Sequence, residues 1–183
     1  MTFAKAAFLD RDGVINIDNG YVSKWEDFEF LDGAISAMKQ LHQAGYLLFV
    51  VTNQSGIARG YFSLDDFNEL TLKMVETLAK AGVPVEKVYF CPHHKNGNVV
   101  KFSIECCCRK PAPGLLLRAQ EEFNIDMGNS VMFGDKYSDY DAANRAGVEN
   151  IYLIKSAYTS EKKRFQEQML FDSLSACVIK FLD

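Results

Sequence analysis

Asp10 and Asp12 stand one residue apart at the end of an apolar run, Ala6-Ala7-Phe8-Leu9, and Gly13 follows them. Carboxylates this close repel, so they call for a cation or a shared proton. A solvated strand-to-loop junction is the plain alternative, and these two acids alone do not choose between the readings. Other polar groups also follow apolar runs. Thr52-Asn53-Gln54-Ser55-Gly56 ends one, and Gly134-Asp135-Lys136 ends another, with Arg109-Lys110-Pro111 between them. Three acids, Asp10, Asp12 and Asp135, suit a hard cation with oxygen ligands. Magnesium fits best, because it binds through a few carboxylates and keeps water and substrate phosphate in its shell. Thr52, Asn53, Ser55, Arg109, Lys110 and Lys136 supply donors and positive charge. Carboxylates, one cation and lysine together describe phosphoryl transfer. One carboxylate can attack as nucleophile. A second can protonate the leaving oxygen and then activate water. Any single lysine, taken alone, is more simply a solvated charge.

A second cluster is built from Cys91-Pro92-His93-His94 and Cys106-Cys107-Cys108. Cys91 with His93, and Cys106 with Cys108, are pairs separated by one residue. In extended chain, residues i and i+2 point the same way, so each pair can pinch one ion. Two pairs complete a tetrahedral thiolate–imidazole shell, which favours zinc in a closed, structural site. The gaps are tighter than in zinc fingers, and buried thiols or a redox cluster are the rival readings. Cys107 is expected to point away, His94 to be a substitute ligand or a substrate-side residue, and Cys177 to lie in the core. Without metal, 91–108 would be a long structureless loop, which is uncommon in compact domains. Metal would fix it and hold Arg109 and Lys110 at the rim of the site.

The bulk properties are those of a soluble globular chain. It has 183 residues, 48% hydrophobic and 24% charged, with formal net charge −4. One domain spanning 1–183 with a sizeable core is expected. The charge offers no field for nucleic acid or an anionic membrane, so a phosphorylated small molecule needs a local basic cluster. No apolar run approaches a membrane span, and the first residues lack a secretory layout. A cytoplasmic monomer is the expectation.

Strands and helices must alternate to bring these residues together. Strands are expected at about 6–10, Tyr46 to Val51, Lys87 to Phe90, Ser130 to Phe133 and Asn150 to Ile154. Helices are expected from Asp32 and Gly33 to about Ala44, from Ser63 to about Ala81, from about Gly114 to Phe123 and over about 138–146. Ser63 with Asp66 forms a capping signal, and Gly45 and Gly82 are stops. The tail, about 155–183, should hold one or two helices. This alternation implies an α/β fold with a doubly wound parallel sheet. The carboxyl ends of parallel strands share one edge, so Asp10, Asp12, Thr52, Asn53, Asp135 and Lys136 can converge there.

Asp10-Arg-Asp-Gly-Val, Thr52-Asn-Gln-Ser-Gly, Arg109-Lys-Pro and Gly134-Asp-Lys-Tyr-Ser-Asp139 resemble the four ordered motifs of the haloacid dehalogenase superfamily of phosphatases. The resemblance implies that Asp10 is the nucleophile, Asp12 the general acid/base, and Thr52 and Lys110 the groups that hold the phosphoryl. It implies magnesium on Asp10, Asp135 and the backbone carbonyl of Asp12, with Asp139 as a supporting acid. The loop with Cys91, His93, Cys106 and Cys108 is similar to the branch that works on heptose bisphosphates. That implies removal of the 7-phosphate, in the route to bacterial surface-polysaccharide heptose. It also implies substrate contacts from Asp18, Asn19, Gly20, Tyr21, Thr52, Asn53, Gln54, Ser55, Arg109, Lys110 and Lys136. Arg59, Arg109 and Lys136 are candidates for the second, unreactive phosphate. The gap after Asp12 and the segment 91–112 are too short for an inserted cap domain, so loops must select the substrate.

Histidinol-phosphate phosphatase shares these motifs and the zinc loop. Gly20-Tyr21 and Gly56-Ile-Ala-Arg-Gly60 favour the sugar bisphosphate. A phosphotransferase would use the same first step. A non-catalytic, zinc-stabilised module that binds a phosphorylated ligand is the alternative of another class, and it does not need the full acid set.

Overall fold

The computed structural model describes residues 3–156 and 170–183. Six parallel strands form one sheet: β1 (Ala6–Leu9), β2 (Leu47–Asn53), β3 (Lys87–Cys91), β4 (Val131–Gly134), β5 (Asn150–Ile154) and β6 (Leu170–Phe171). Their order is β3-β2-β1-β4-β5-β6. The chain winds outward in one direction from β1 and in the other from β4. These two central strands therefore flank the switch point, where open sheets of this kind leave a crevice. Helices are α1 (Ala34–Gln43), α2 (Ser55–Arg59), α3 (Leu64–Lys80), α4 (Gly114–Phe123), α5 (Tyr137–Arg145) and α6 (Leu174–Leu182).

Side chains alternate across the sheet, and each face has its own core. Ala7, Leu9, Leu48, Val50, Val131 and Phe133 pack with α1, α3 and α6 through residues such as Met38, Met74 and Val178. Ala6, Phe8, Phe49, Val51 and Met132 pack with α4 and α5 through Leu116, Ala119 and Ala142. Fully buried strands of this kind leave their polar residues only at the ends. Asp10, Thr52 and Asp135 follow from that geometry.

The expected capping box is present. Ser63 Oγ accepts the Asp66 N–H at 3.0 Å, and Asp66 Oδ2 accepts the Ser63 N–H at 2.7 Å. Two strand ends and two short elements differ from the sequence expectation. β2 runs two residues further, to Asn53, because it pairs with β3 as far as Cys91. β3 likewise ends on Cys91 rather than Phe90, which puts the first thiol on the sheet. The short α2 was not expected, since five residues are too few for a helical period. In the tail, β6 pairs with β5 and α6 packs on α1, so the sheet gains an edge strand that two residues could not announce. The expectation of helix over about 155–183 falls partly outside the described residues.

Candidate active site

Asp10 continues β1 into the crevice, its N–H donating to the Phe133 carbonyl at 2.9 Å. The chain then turns at Gly13, whose φ is +83°. A Cβ at Gly13 would lie 2.6 Å from Asp135 Oδ2. Glycine is needed there on both counts, left-handed backbone and close approach. The turn thus brings the β1 loop onto the carboxylate that ends β4.

Asp10, Asp135 and Asp139 are all buried, and one oxygen of each lies within 4.8 Å of the others. Their surroundings differ. Asp10 Oδ1 accepts the Arg11 N–H at 2.8 Å and faces Lys110 Nζ at 3.1 Å. Asp139 Oδ2 accepts the main-chain N–H of Asp135 and of Lys136, and Oδ1 sits 2.6 Å from Lys110 Nζ. Asp135 Oδ1 meets Lys136 Nζ at 3.3 Å, and Oδ2 has no donor among the described residues. Burial first, and then the Asp10 charge, push the Asp135 carboxyl up to about 7. A buried carboxylate with an oxygen left without a donor is unfavourable unless a cation joins it. Asp10 with Asp135 therefore fits a hard oxygen-loving cation, and Asp139 is already committed to the lysine and two backbone donors.

Lys110 is the opposing charge. Burial alone would lower its ammonium, yet the Asp10 and Asp139 carboxylates outweigh this and hold it above the usual lysine value. Its third donor goes to the Val51 carbonyl at 2.6 Å. Lys136 is likewise held up: burial opposes, and Asp10, Asp135 and Asp18 prevail. Lys136 Nζ lies 3.3 Å from Asp135 and 3.2 Å from Asp18, which ties the 18–21 segment to the end of β4.

The Asp12 side chain stands outside the carboxylate cluster. Arg11, Asn16 and Gln54 donate to it, with Gln54 Nε2 at 3.1 Å from Oδ2. Gln54 Nε2 also lies 2.9 Å from Thr52 Oγ1. Asp12 and Thr52 are thereby joined through one amide. A cavity of about 460 Å³ opens beside them, lined by Asp12, Asp18, Tyr21, Gln54, Arg109 and Lys136 among others. Gly20, Asn53, Ser55 and Lys110 line it too.

Three expected contact residues do not line this cavity. Thr52 is buried beneath it, reached through Gln54. Asn19 is exposed on the loop. Arg59 turns to His94, with Nη2 3.2 Å from Nε2. Asn53 lines the cavity, but both of its amide atoms are spent on the main chain of Lys110. Sequence reasoning missed that clamp, the Gln54 bridge and the buried grip of Arg11 on Asp12. Each depends on a partner that no local spacing signals.

The thiol cluster assembles as expected. Cys91 Sγ lies 3.5 Å from Cys106 Sγ and 3.2 Å from Cys108 Sγ, and the latter two are 3.3 Å apart. His93 Nδ1 is 3.8 Å from Cys91 Sγ and 3.5 Å from Cys108 Sγ. A tetrahedron of zinc–sulfur bonds has edges of about 3.8 Å, so the donor set fits that ion. Cys107 is exposed and outside the cluster, and Cys177 is buried in the core. His94 belongs with Arg59 rather than with the thiols. Arg109 Nη1 donates to the His93 carbonyl at 3.3 Å, which links the cluster to the cavity rim.

A family model described as HAD-hydrolase-like matches residues 107–177. The chain is 50% identical over 151 residues to a D-glycero-beta-D-manno-heptose-1,7-bisphosphate 7-phosphatase of Yersinia pestis, covering 82% of this chain and 80% of that one. It is 52% identical over 152 residues to the Pasteurella multocida protein of the same name, covering 83% and 82%. Among solved structures, a D,D-heptose 1,7-bisphosphate phosphatase from B. bronchiseptica, complexed with magnesium and phosphate, superposes with a TM-score of 0.84 at 30% identity. That match covers 97% of this chain and 98% of the other. With the acid cluster, the lysine and the thiol loop all in place on this fold, the chain belongs to the D-glycero-beta-D-manno-heptose-1,7-bisphosphate 7-phosphatase family of HAD-like hydrolases.

Proposed function

We propose that this protein is a magnesium-dependent phosphatase that removes the 7-phosphate of D-glycero-D-manno-heptose 1,7-bisphosphate. On this reading it acts as a single-domain, cytoplasmic monomer in bacterial heptose precursor synthesis. The observation that carries the chemistry is buried Asp135 facing Asp10, with only Lys136 on its Oδ1 and no partner on its Oδ2 among the described residues, and with Lys110 bridging Asp10 and Asp139. The substrate comes from the relatives of Yersinia pestis and Pasteurella multocida and from the basic rim of the cavity.

Asp10 attacks phosphorus. An Asp10 oxygen–phosphorus bond forms as the bond to the C7 oxygen breaks, and the leaving oxygen takes a proton from Asp12. Asp12, now a carboxylate, takes a proton from water as that water attacks phosphorus. The acyl phosphate bond breaks, and inorganic phosphate leaves with Asp10 restored. Lys110, 3.1 Å from Asp10, supplies the positive charge that draws the phosphoryl oxygens, and Thr52 lies behind the Gln54 amide that meets the cavity. Magnesium, held by Asp10, Asp135 and the Asp12 carbonyl, would offset charge on the transferring group. Arg109 and Lys136 take the second phosphate. Zinc on Cys91, His93, Cys106 and Cys108 would fix the loop that carries Arg109.

Phosphate release from a panel of sugar bisphosphates and histidinol phosphate, with magnesium present, tests this reading. Selective turnover of the heptose bisphosphate, abolished by Asp10→Asn, is expected. Preference for histidinol phosphate, or turnover that survives Asp10→Asn, would overturn it.

A further inference from the structure

Arg11 has the largest of the fully buried side chains, at 1% exposure. Its guanidinium grips Asp12 by both oxygens: Nε to Oδ1 at 3.1 Å, Nη2 to Oδ1 at 2.8 Å and Nη2 to Oδ2 at 3.0 Å. Nη2 also donates to the Val22 carbonyl at 2.8 Å. The main-chain N–H of the same residue donates to Asp10 Oδ1. Its carbonyl accepts the N–H groups of Val14, Ile15 and Asn16, closing the turn after β1. Nη1 is buried and has no hydrogen-bond partner among the described residues, and the guanidinium lies 5.9 Å from the Phe67 ring centre.

Space filling does not account for this residue. A buried guanidinium with an unsatisfied nitrogen is less favourable than an apolar side chain of similar length. What only arginine supplies is a planar fork that fixes a carboxylate in one orientation. Asn16 and Gln54 each touch a single Asp12 oxygen, whereas Arg11 touches both.

We propose that Arg11 is the positioning residue for proton transfer. It holds the Asp12 carboxyl at one angle to the cavity. Through Val22 it makes that angle depend on the 18–22 segment, whose Asp18 and Tyr21 line the cavity. Arg11 moves no proton itself, since a guanidinium keeps its own. The proton path remains substrate oxygen, Asp12 and water. The inference rests on Asp12 being the proton-transfer group of the proposed function.

The test compares two leaving groups in the first turnover. Glycerol phosphate departs as an alkoxide and needs a proton, whereas p-nitrophenyl phosphate departs as a stable phenolate and does not. Arg11→Met is expected to slow transfer from glycerol phosphate by roughly a hundredfold, the usual scale of general acid catalysis. The p-nitrophenol burst should stay within about threefold of the parent, because proton donation contributes little there. Arg11→Lys keeps the charge but loses the fork, so its selective loss should be intermediate. Equal losses on both esters, or none, would overturn the proposal. Should Arg11→Met fail to fold, Arg11→Lys decides: an alkyl-to-aryl ratio like that of the parent overturns it. Asp12→Asn is measured alongside. If that variant spares alkyl transfer, the role of Asp12 falls, and the Arg11 proposal with it. If only the Arg11 variants lack selectivity, the role of Asp12 stands.

Discussion

Asn53 holds Lys110 by its main chain, in both directions. Its Oδ1 accepts the Lys110 N–H at 3.0 Å, and its Nδ2 donates to the Lys110 carbonyl at 2.9 Å. The residue that ends β2 therefore fixes the lysine that faces Asp10, across 57 positions of sequence. The thiol-loop residues Cys106–Cys108 come just before this clamp and α4 begins just after it. Asn53→Ala removes two buried bonds, each worth about 0.5–1.5 kcal/mol net. The expected loss is about 1–3 kcal/mol of stability, read from denaturant melts. Misplacement of Lys110 should lower kcat by roughly a hundredfold, since angstrom-scale shifts at a reacting centre act on that scale.

On the proposed function, Arg109 would serve the second phosphate and not the reacting one. It lines the main cavity and also a neighbouring one of about 300 Å³ that holds His94 and Lys95. Its side chain makes no ion pair among the described residues and donates there to the His93 carbonyl. Arg109→Ala should raise KM for a sugar bisphosphate by roughly tenfold to a hundredfold, the range of one charge-assisted hydrogen bond. A simple monophosphate ester, which has no second anion, should lose little. Steady-state kinetics on the two substrates read the difference, and equal losses would remove Arg109 from the second phosphate.

The parts of this site that were legible in the sequence are those where local rules decide. Asp10, Thr52 and Asp135 end continuously apolar runs, and the parallel sheet brings such ends to one edge whatever lies between them. Ser63 and Asp66 carry a capping box within four residues. Cys91 with His93, and Cys106 with Cys108, sit at i and i+2, the first pair at the end of β3. Other features answer to distant partners. Arg11 looks like a solvated charge in the sequence, yet it is sealed under Phe67 and Val22. Asn53 looks like a donor for substrate, but Lys110 takes both of its amide atoms. Arg59 belongs to His94 because the 97–99 segment folds back on α2, where the Ala58 carbonyl accepts the N–H of Asn98 and of Val99. β6 is two residues long, pairs with β5 and packs on α6, none of which two residues can signal.

The zinc assignment makes a prediction with its own control. Stripping the metal with a strong chelator, or replacing Cys106 by Ser, leaves thiols crowded within 3.5 Å with nothing to bind them. Tm should fall, by about 2–4 °C for each kcal/mol lost in a chain of this size. KM for the bisphosphate should rise as Arg109 loosens, while turnover that depends on Asp10 should survive. Cys107→Ser should change neither zinc content nor Tm, because that side chain is exposed and outside the cluster. Metal analysis with calorimetry checks both arms. A stripped protein with unaltered Tm and kinetics would contradict the structural role.

Glu122 gives the fold an acid-sensitive tie. On α4 it meets Lys87 of β3, accepts the Tyr89 hydroxyl at 2.7 Å and faces Arg118 Nε at 2.8 Å. Lys87 first, then Tyr89 and Arg118, hold its carboxyl down to about 2. In the unfolded chain a glutamate titrates near ~4.3. The folded form therefore binds fewer protons between those values, and stability falls as the pH is lowered through that window. Above it the contribution is fully present. Glu122→Gln should be less stable than the parent at pH 7, and the gap should close as the pH drops from about 4.5 towards 2. The site is exposed, so added salt should shrink the gap as well. Melts of both proteins across that range provide the measurement. A gap that persists at pH 2 would show that packing of the side chain, rather than its charge, ties α4 to β3 beside the thiol loop.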